Sequence, residues 1–155
     1  MIHLRRFQYA DLTALHRIDQ ICFPPGIAYS KAELRYYLQH ATSFTVIAET
    51  DSQTIAGFCI GQLFLHEGKR LGHIITIDVL PEARRQRVGS LLLRAVEKHF
   101  REKEVESVRL EVAVDNEQAQ RFYQPMGYTR IGVIPGYYGG KLDAIVMQKP
   151  LTGDA

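Results

Sequence analysis

The chain has 155 residues, of which 46% are hydrophobic and 23% are charged, and its formal net charge is only +2. This length and composition are typical of one soluble domain with a sizeable core, so we predict a single domain over residues 1–151 and a short tail, 152–155. The weak charge does not favour nucleic-acid binding, and no apolar stretch reaches the roughly 20 residues that span a bilayer.

Seven strands and four helices are predicted along the chain. The strands cover residues 2–7, 43–49, 55–65, 72–79, 107–113, 128–134 and 143–149. Asp11 is expected to cap the first helix, and Ser30 with Glu33 forms a capping box for the second. A third helix runs to about Phe100, and a fourth begins at Asn116 and ends near Pro125. The order β-αα-βββ-α-β-α-ββ indicates an α/β fold with three layers and a mixed, mostly antiparallel central sheet.

Cysteine usage indicates the cellular compartment, and histidine spacing bears on metal binding. Cys22 and Cys59 lie far apart in sequence beside apolar neighbours, which is typical of free thiols in a reducing compartment. The N-terminal residues contain no apolar signal region, and the histidines other than His73 show no metal-ligand spacing. We therefore expect a cytoplasmic protein without a metal site.

The segment Arg84–Ser90 stands between the predicted strand 72–79 and an apolar helix. The first backbone N–H groups of a helix have no intrahelical partner, small residues there leave them accessible, and the positive end of the helix dipole attracts anions. Three arginines flank these amides, so the segment suits a diphosphate better than an isolated carboxylate. Taken alone, an arginine-rich loop before a helix is also typical of a solvated turn.

A second group of residues follows downstream. Glu111 lies on the strand 107–113, Asn116 begins the next helix, and Tyr123 lies two turns along on the same helical face. We expect all three to line one cleft. Each also has a structural interpretation: Glu111 as an exposed carboxylate paired with Arg109, Asn116 as a helix cap, and Tyr123 as core packing.

These segments together resemble the GNAT N-acetyltransferase superfamily, and the predicted element order is that of its fold. Arg84 and Gly89 match the ends of its acyl-CoA pyrophosphate motif: Arg or Gln, two residues, Gly, one residue, then Gly or Ala. Arg87 replaces the first glycine, so we expect it to have φ below zero and an outward side chain. The ending Gly136–Gly140 and Asp143–Met147 is most similar to RimI-type ribosomal-protein alanine N-acetyltransferases. The likeness covers residues 4–151, with Leu142 where those proteins commonly have glutamate.

The resemblance implies acetyl-CoA as the cosubstrate and a protein N-terminus as the acceptor, with a ribosomal protein as the favoured substrate. It implies three catalytic candidates: Tyr123 to protonate the departing thiolate, Glu111 to accept the proton of the attacking amine, and His73 as a second candidate base. The implied cofactor contacts are Ile77, Asp78, Val79, Arg84, Arg85, Gln86, Arg87, Val88, Gly89, Ser90, Asn116 and Tyr123. The implied substrate contacts are Phe23, Ile27, Tyr29, Tyr137 and Tyr138.

Two alternative functions stay open at this stage. The same fold and cofactor would serve acetylation of a small-molecule amine or a lysine side chain. A non-catalytic acyl-CoA-binding sensor would keep the loop before the helix without using proton-transfer groups. The tyrosines near Gly139 favour a peptide substrate, and the presence of both Glu111 and Tyr123 favours catalysis.

Overall fold

The computed structural model describes residues 1–151, and the predicted tail 152–155 lies outside the described residues. The strands are β1 (His3–Arg6), β2 (Ser43–Glu49), β3 (Ile55–His66), β4 (Lys69–Val79), β5 (Ser107–Ala113), β6 (Thr129–Tyr138) and β7 (Leu142–Pro150). The helices are α1 (Leu12–Cys22), α2 (Lys31–Gln39), α3 (Val88–Glu102) and α4 (Glu117–Tyr123). Short 3-10 turns cover Tyr9–Asp11, Pro81–Gln86 and Gln124–Met126. The predicted order of strands and helices is confirmed.

One seven-stranded sheet has the order β1-β2-β3-β4-β5-β7-β6. Every neighbouring pair is antiparallel except β4 and β5, which are parallel and are connected through α3. A parallel pair requires such a crossover because the chain must return to the same end of the sheet. The sheet is therefore mixed and mostly antiparallel, as predicted.

The parallel pair is joined over only a short distance. β4 and β5 pair from Leu71–His73 to Ser107–Arg109, and beyond this point β4 stays with β3 while β5 stays with β7. A β-bulge adds Ile75 to β4, because Gly61 pairs with Ile74 whereas Ile60 pairs with Thr76. The carboxyl-terminal halves of β4 and β5 consequently diverge and leave a wedge in the middle of the sheet.

Helices cover both faces of the sheet. On one face, Leu15 and Ile18 of α1 and Leu34 of α2 pack with Phe58 and Ile60 of β3. On the other face, the apolar side of α3 packs against the sheet in a second core that includes Tyr123 of α4. The wedge between β4 and β5 is the opening that connects the two faces.

The helix starts explain one difference from the sequence prediction. Ser30 accepts the Glu33 N–H while Glu33 accepts the Ser30 N–H, which confirms the capping box. Asp11 makes no cap bond to α1. Its carboxylate accepts two hydrogen bonds from Arg5 and one from the Gln8 N–H, so α1 begins after a 3-10 turn instead. The expected cap was wrong because the Arg5 guanidinium and the Gln8 N–H bond to the same oxygens.

Three smaller features can be compared with the sequence. Cys22 and Cys59 are both free. β6 extends through Tyr137 and Tyr138, so these residues belong to a strand end and not to a loop. In the part of the chain that is described, no helix is long and apolar enough to cross a membrane.

Candidate active site

The wedge between β4 and β5 opens into a cleft of about 1010 Å³. Its walls come from β4, β5, the start of α3, α4, the loop between α1 and α2, and the turn between β6 and β7. Among the predicted site residues, those that line the cleft are Phe23, Ile27, Tyr29, Ile77, Val79, Arg84, Arg85, Arg87, Gly89, Ser90, Glu111, Asn116, Tyr123 and Tyr138. The fold thus gathers into one cleft residues that are widely separated in the sequence.

The N-terminus of α3 forms one end of this cleft. Leu91 is the first residue whose N–H bonds within the helix, to the Arg87 carbonyl at 3.1 Å. The amides before it therefore have no helical partner and carry the positive end of the helix dipole. Gly89 keeps this end close to α4, since an added Cβ would lie 3.2 Å from the Phe122 ring. With arginine side chains beside them, these amides fit a diphosphate.

Arg87 differs from the sequence prediction. It has φ 60° and ψ 25°, the left-handed conformation that glycine adopts most readily. The expected negative φ was wrong, because the chain must turn sharply from the 3-10 turn into α3 at this residue. Its side chain is exposed, as expected. Arg87 therefore takes the backbone conformation of a glycine and adds a positive charge at the cleft.

Other residues of the same segment have different surroundings. Arg84 donates from Nε to the Val79 carbonyl at 3.0 Å. Gln86 is exposed and lies outside the cleft lining, and Val88 is fully buried in the core. Asp78 is also absent from the lining, because its side chain is completely buried and accepts the Thr76 hydroxyl. Val88 and Asp78 can therefore contact a cofactor only through their backbone.

The free edge of β4 supplies backbone groups to the wedge. The Leu80 N–H bonds to the Ala56 carbonyl on the β3 side. Backbone groups alternate along a strand, so the Val79 N–H points to the other side, where β5 has diverged. This donor is therefore available to a ligand in the cleft.

α4 carries two of the predicted residues. The Asn116 side chain caps the helix by accepting the Ala119 N–H at 3.1 Å, and Asn116 also lines the cleft. Tyr123 is only 8% exposed and packs edge to face against Tyr128, with ring centroids 5.6 Å apart. Burial raises the pKa of Tyr123 well above that of an ordinary phenol. Its hydroxyl stays protonated at neutral pH and is available as a proton donor.

Glu111 lies where β4 and β5 begin to separate. Its Oε1 atom is 2.7 Å from His73 Nε2 and accepts the Tyr137 hydroxyl at 3.3 Å. The Glu111 side chain is only 12% exposed. This arrangement replaces the proposed pairing with Arg109, whose side chain is exposed on the same strand. Glu111 is a largely buried carboxylate held by two partners at the floor of the wedge.

Tyrosines surround Glu111 on the side of α1 and α2. Tyr29 donates its hydroxyl to the Ile75 carbonyl at 3.3 Å and packs against Tyr37, with centroids 5.4 Å apart. Tyr137 and Tyr138 form an edge-to-face pair with centroids 4.9 Å apart. Burial and the nearby Glu111 raise the pKa of Tyr138 to about 12, so this wall is polar but uncharged at neutral pH. An apolar or short polar chain fits against it better than an anion.

Two residues of this region were not identified from the sequence. Tyr37 lies on α2 beside Tyr29, and Asp19 of α1 is completely buried and accepts the Tyr29 N–H at 2.7 Å. Asp19 had a signal in the sequence, since it lies four residues after Leu15 on the apolar face of an amphipathic helix. A charged residue on such a face indicates a buried partner.

Comparison with known proteins gives the class. The model of the acetyltransferase (GNAT) family matches residues 12–128. An uncharacterized N-acetyltransferase of Methanocaldococcus jannaschii is 33% identical over 147 residues, which cover 94% of this chain and 90% of the relative. The N-alpha-acetyltransferase of Sulfurisphaera tokodaii is 26% identical over 160 residues, with 96% and 92% covered. The chain therefore belongs to the GNAT acetyltransferase family.

Structural comparison agrees with this membership. The crystal structure of the ribosomal-protein alanine N-acetyltransferase from Escherichia coli superposes with a TM-score of 0.85 at 23% identity and covers 100% of this chain and 97% of that one. The GNAT fold predicted from the sequence is confirmed. Family membership also confirms the predicted enzyme class, an acetyl-CoA-dependent N-acetyltransferase.

Proposed function

We propose that this enzyme transfers the acetyl group of acetyl-CoA to the α-amine at the N-terminus of a protein. The observation that carries the proposal is the position of Glu111. Its carboxylate lies at the floor of the wedge, is held by His73 and Tyr137, and faces the aromatic wall on the side of α1 and α2. The phosphate-binding end of the cleft lies on the opposite side, at α3, so cosubstrate and acceptor amine approach the wedge from different faces.

Cosubstrate binding follows from the chain's own donors. The free amides at the start of α3, with Arg85 and Arg87, hold the diphosphate. The exposed edge of β4 from Ile77 to Val79 binds the pantetheine chain by strand-like hydrogen bonds, and Asn116 contacts it from α4. The Val79 N–H stabilises the negative charge that develops on the acyl oxygen.

Proton transfer is divided between the two faces of the sheet. A peptide α-amine has a pKa of roughly 8 and is partly neutral at physiological pH. Glu111 accepts the proton that this amine loses as its bond to the acyl carbon forms. Tyr123 gives a proton to the sulfur as the carbon–sulfur bond breaks, and both groups then exchange protons with solvent. The transfer is direct, in a ternary complex, and uses neither cysteine as a nucleophile.

The acceptor class is supported by the aromatic wall and by a relative. Tyr29 and Tyr138 line the acceptor side beside Phe23 and Ile27, which leaves a groove for an extended peptide rather than a highly charged small molecule. The archaeal relative that is named an N-alpha-acetyltransferase supports the same acceptor. Within this class we propose a ribosomal protein as the natural substrate and the cytoplasm as the location, because the C-terminal sequence resembles RimI-type enzymes.

The test is acetyl-CoA-dependent thiol release over a panel of short peptides that differ at the first residue, with mass spectrometry to locate the acetyl group. Matched controls are the same peptides with a blocked α-amine and an internal lysine. We expect turnover only with a free α-amine. Acetylation of the lysine, or of polyamines and aminoglycosides in preference to peptides, would contradict the proposed acceptor. If none of the amines in the panel produces thiol release, amine acetylation itself would be contradicted.

A further inference from the structure

Two carboxyl groups are buried together beneath the acceptor loop, residues 23–29. Asp19 of α1 and Asp78 of β4 are both completely inaccessible to solvent. One oxygen of each is bonded: Asp19 Oδ2 accepts the Tyr29 N–H, and Asp78 Oδ1 accepts the Thr76 hydroxyl. The remaining oxygens, Asp19 Oδ1 and Asp78 Oδ2, have no donor among the described residues.

α1 packs on β4 at this point, because the Cys22 thiol, three residues after Asp19, donates to the carbonyl of Val79, the residue after Asp78, at 3.4 Å. The two carboxyl groups are neighbours across this contact, and each has one oxygen without a donor. Two neighbouring carboxylates that are buried away from water cannot both remain ionised, whereas one proton between them satisfies both free oxygens. Burial, followed by the hydrogen bond with Asp19, raises the pKa of Asp78 well above its ordinary value. A shared proton thus accounts for both buried groups at once.

We propose that Asp19 and Asp78 share one proton and that this carboxyl pair fastens the acceptor loop to the strand that binds the acetyl group. Both are positioning residues, since neither lines the cleft. Their effect on acetyl transfer rests on the function proposed above, whereas the shared proton and the fastening of the loop do not depend on the acceptor.

The pair connects the two halves of the reaction site. Asp19 holds the backbone of Tyr29, whose hydroxyl bonds to β4 at the Ile75 carbonyl. Asp78 directly precedes Val79, the residue whose N–H faces the wedge. Loss of the proton would set two negative charges against each other between α1 and β4, and would loosen the loop where the acceptor amine must approach.

The surroundings contain little that could replace the proton. The titratable and charged groups near the pair, from every element packed against it, are Cys22, Tyr29, Cys59, Arg84 and Tyr123. Burial raises the pKa of both thiols and of both phenols, so these four groups stay neutral at neutral pH. Arg84 is engaged by the Val79 carbonyl and does not bond to either carboxyl group.

Thermal unfolding as a function of pH tests the shared proton without any substrate. Because the native pKa of Asp78 is raised, its contribution to stability is present at low pH and is lost as pH rises from about 4 toward the native pKa. Asp78→Asn cannot ionise, and its amide can donate to Asp19. We expect the Tm of this variant, relative to wild type, to rise by about 3 °C per pH unit over that range. A Tm difference that does not change with pH would overturn the shared proton.

Infrared spectroscopy provides the same test on the unaltered protein. A protonated carboxyl band that persists at pH 7 and shifts when aspartate is labelled with carbon-13 is expected, and it must vanish in Asp78→Asn or, if that variant does not fold, in Asp19→Asn. Absence of this band from the wild-type protein would contradict the proposal.

The fastening of the loop is measured at Tyr29. Its amide should be protected from hydrogen exchange in wild type and in Asp78→Asn, and exchange faster in Asp78→Ala. Asp78→Ala should also raise the KM for a peptide acceptor about tenfold, and Asp78→Asn should restore most of this loss. Equal protection in the Ala and Asn variants would refute the fastening role. Altered protection without peptide turnover in any form of the enzyme would instead refute the proposed acceptor and leave the carboxyl pair standing.

Discussion

His73 of β4 and Glu111 of β5 meet side chain to side chain at 2.7 Å, although Glu111 lies two residues beyond Arg109, the last residue of β5 that pairs with β4. This contact closes the floor of the wedge. It brings an imidazole and a carboxylate together where β4 and β5 diverge around the cleft.

Replacing Glu111 by Gln should lower kcat/KM by about 10²-fold at pH 7, because the amide cannot accept the proton of the attacking amine. The deficit should shrink above pH 8 as the free amine becomes abundant without assistance. Steady-state rates from pH 6 to 10 measure this. Arg109→Gln, an exposed change on the same strand, is the matched control and should leave the rate within about twofold. A Glu111→Gln enzyme with full turnover at every pH would remove Glu111 as the base.

His73 is expected to act through Glu111 rather than independently. His73→Gln, which keeps a donor for the carboxylate, should lower kcat about threefold, and His73→Ala about tenfold. In a double-mutant cycle, adding either change to Glu111→Gln should cost much less than it does alone, since the shared interaction is already lost. Fully additive effects would assign His73 a separate role as a base.

Tyr123→Phe removes one hydroxyl and should lower kcat by about 10²-fold while the affinity for coenzyme A is unchanged. Burial raises the pKa of this phenol, so its ionisation should not reduce the wild-type rate at any pH up to about 10. Tyr128→Phe is the matched control, because Tyr128 donates to the buried Glu97 at 2.6 Å. That change should cost about 1–3 kcal/mol of stability and leave kcat close to wild type. A large loss of kcat in Tyr128→Phe and none in Tyr123→Phe would contradict the assignment of the catalytic hydroxyl to Tyr123.

Arg87→Gly should stabilise the protein by up to about 1 kcal/mol, because a glycine adopts φ 60° without the steric cost of a Cβ. It should also weaken coenzyme A binding, since a positive charge is removed from the cleft. Chemical denaturation and calorimetric titration measure the two effects. Gln53 has a similar φ of 62° and does not line the cleft. The control Gln53→Gly should therefore change stability only. Unchanged coenzyme A affinity in Arg87→Gly would exclude a contact with the diphosphate.

Cys22 lines the cleft but should not carry an acetyl group. Burial raises the pKa of its thiol to about 11, so very little thiolate is present at neutral pH. Cys22→Ala should therefore retain turnover within a few-fold, and mass spectrometry should find no acetyl-enzyme when acetyl-CoA is mixed with the wild-type enzyme alone. An acetylated Cys22 would contradict direct transfer.

The order of the strands and helices, the capping box at Ser30 and the helix cap at Asn116 were all predictable from the sequence. Each depends on residues within a few positions of one another: period-2 or period-3.6 apolar patterns and a side chain that bonds a nearby amide. The start of α3 after the segment Arg84–Ser90 was predictable for the same reason. Even the resemblance of Arg84–Gly89 to a phosphate-binding motif is a local property.

Tertiary structure decided what local pattern could not. Asp11 accepts hydrogen bonds from Arg5, Arg87 adopts a left-handed conformation, and Glu111 contacts His73 and Tyr137 instead of Arg109. The pairing of Asp19 with Asp78 also depends on how α1 packs on β4. The contacts of Asp11 and Glu111 depend on where strands and helices are placed, because several partners of suitable charge compete for each carboxylate. Strand register and the divergence of β4 and β5 decide which partner is bonded. Neither can be derived from the residues that surround each site in the chain.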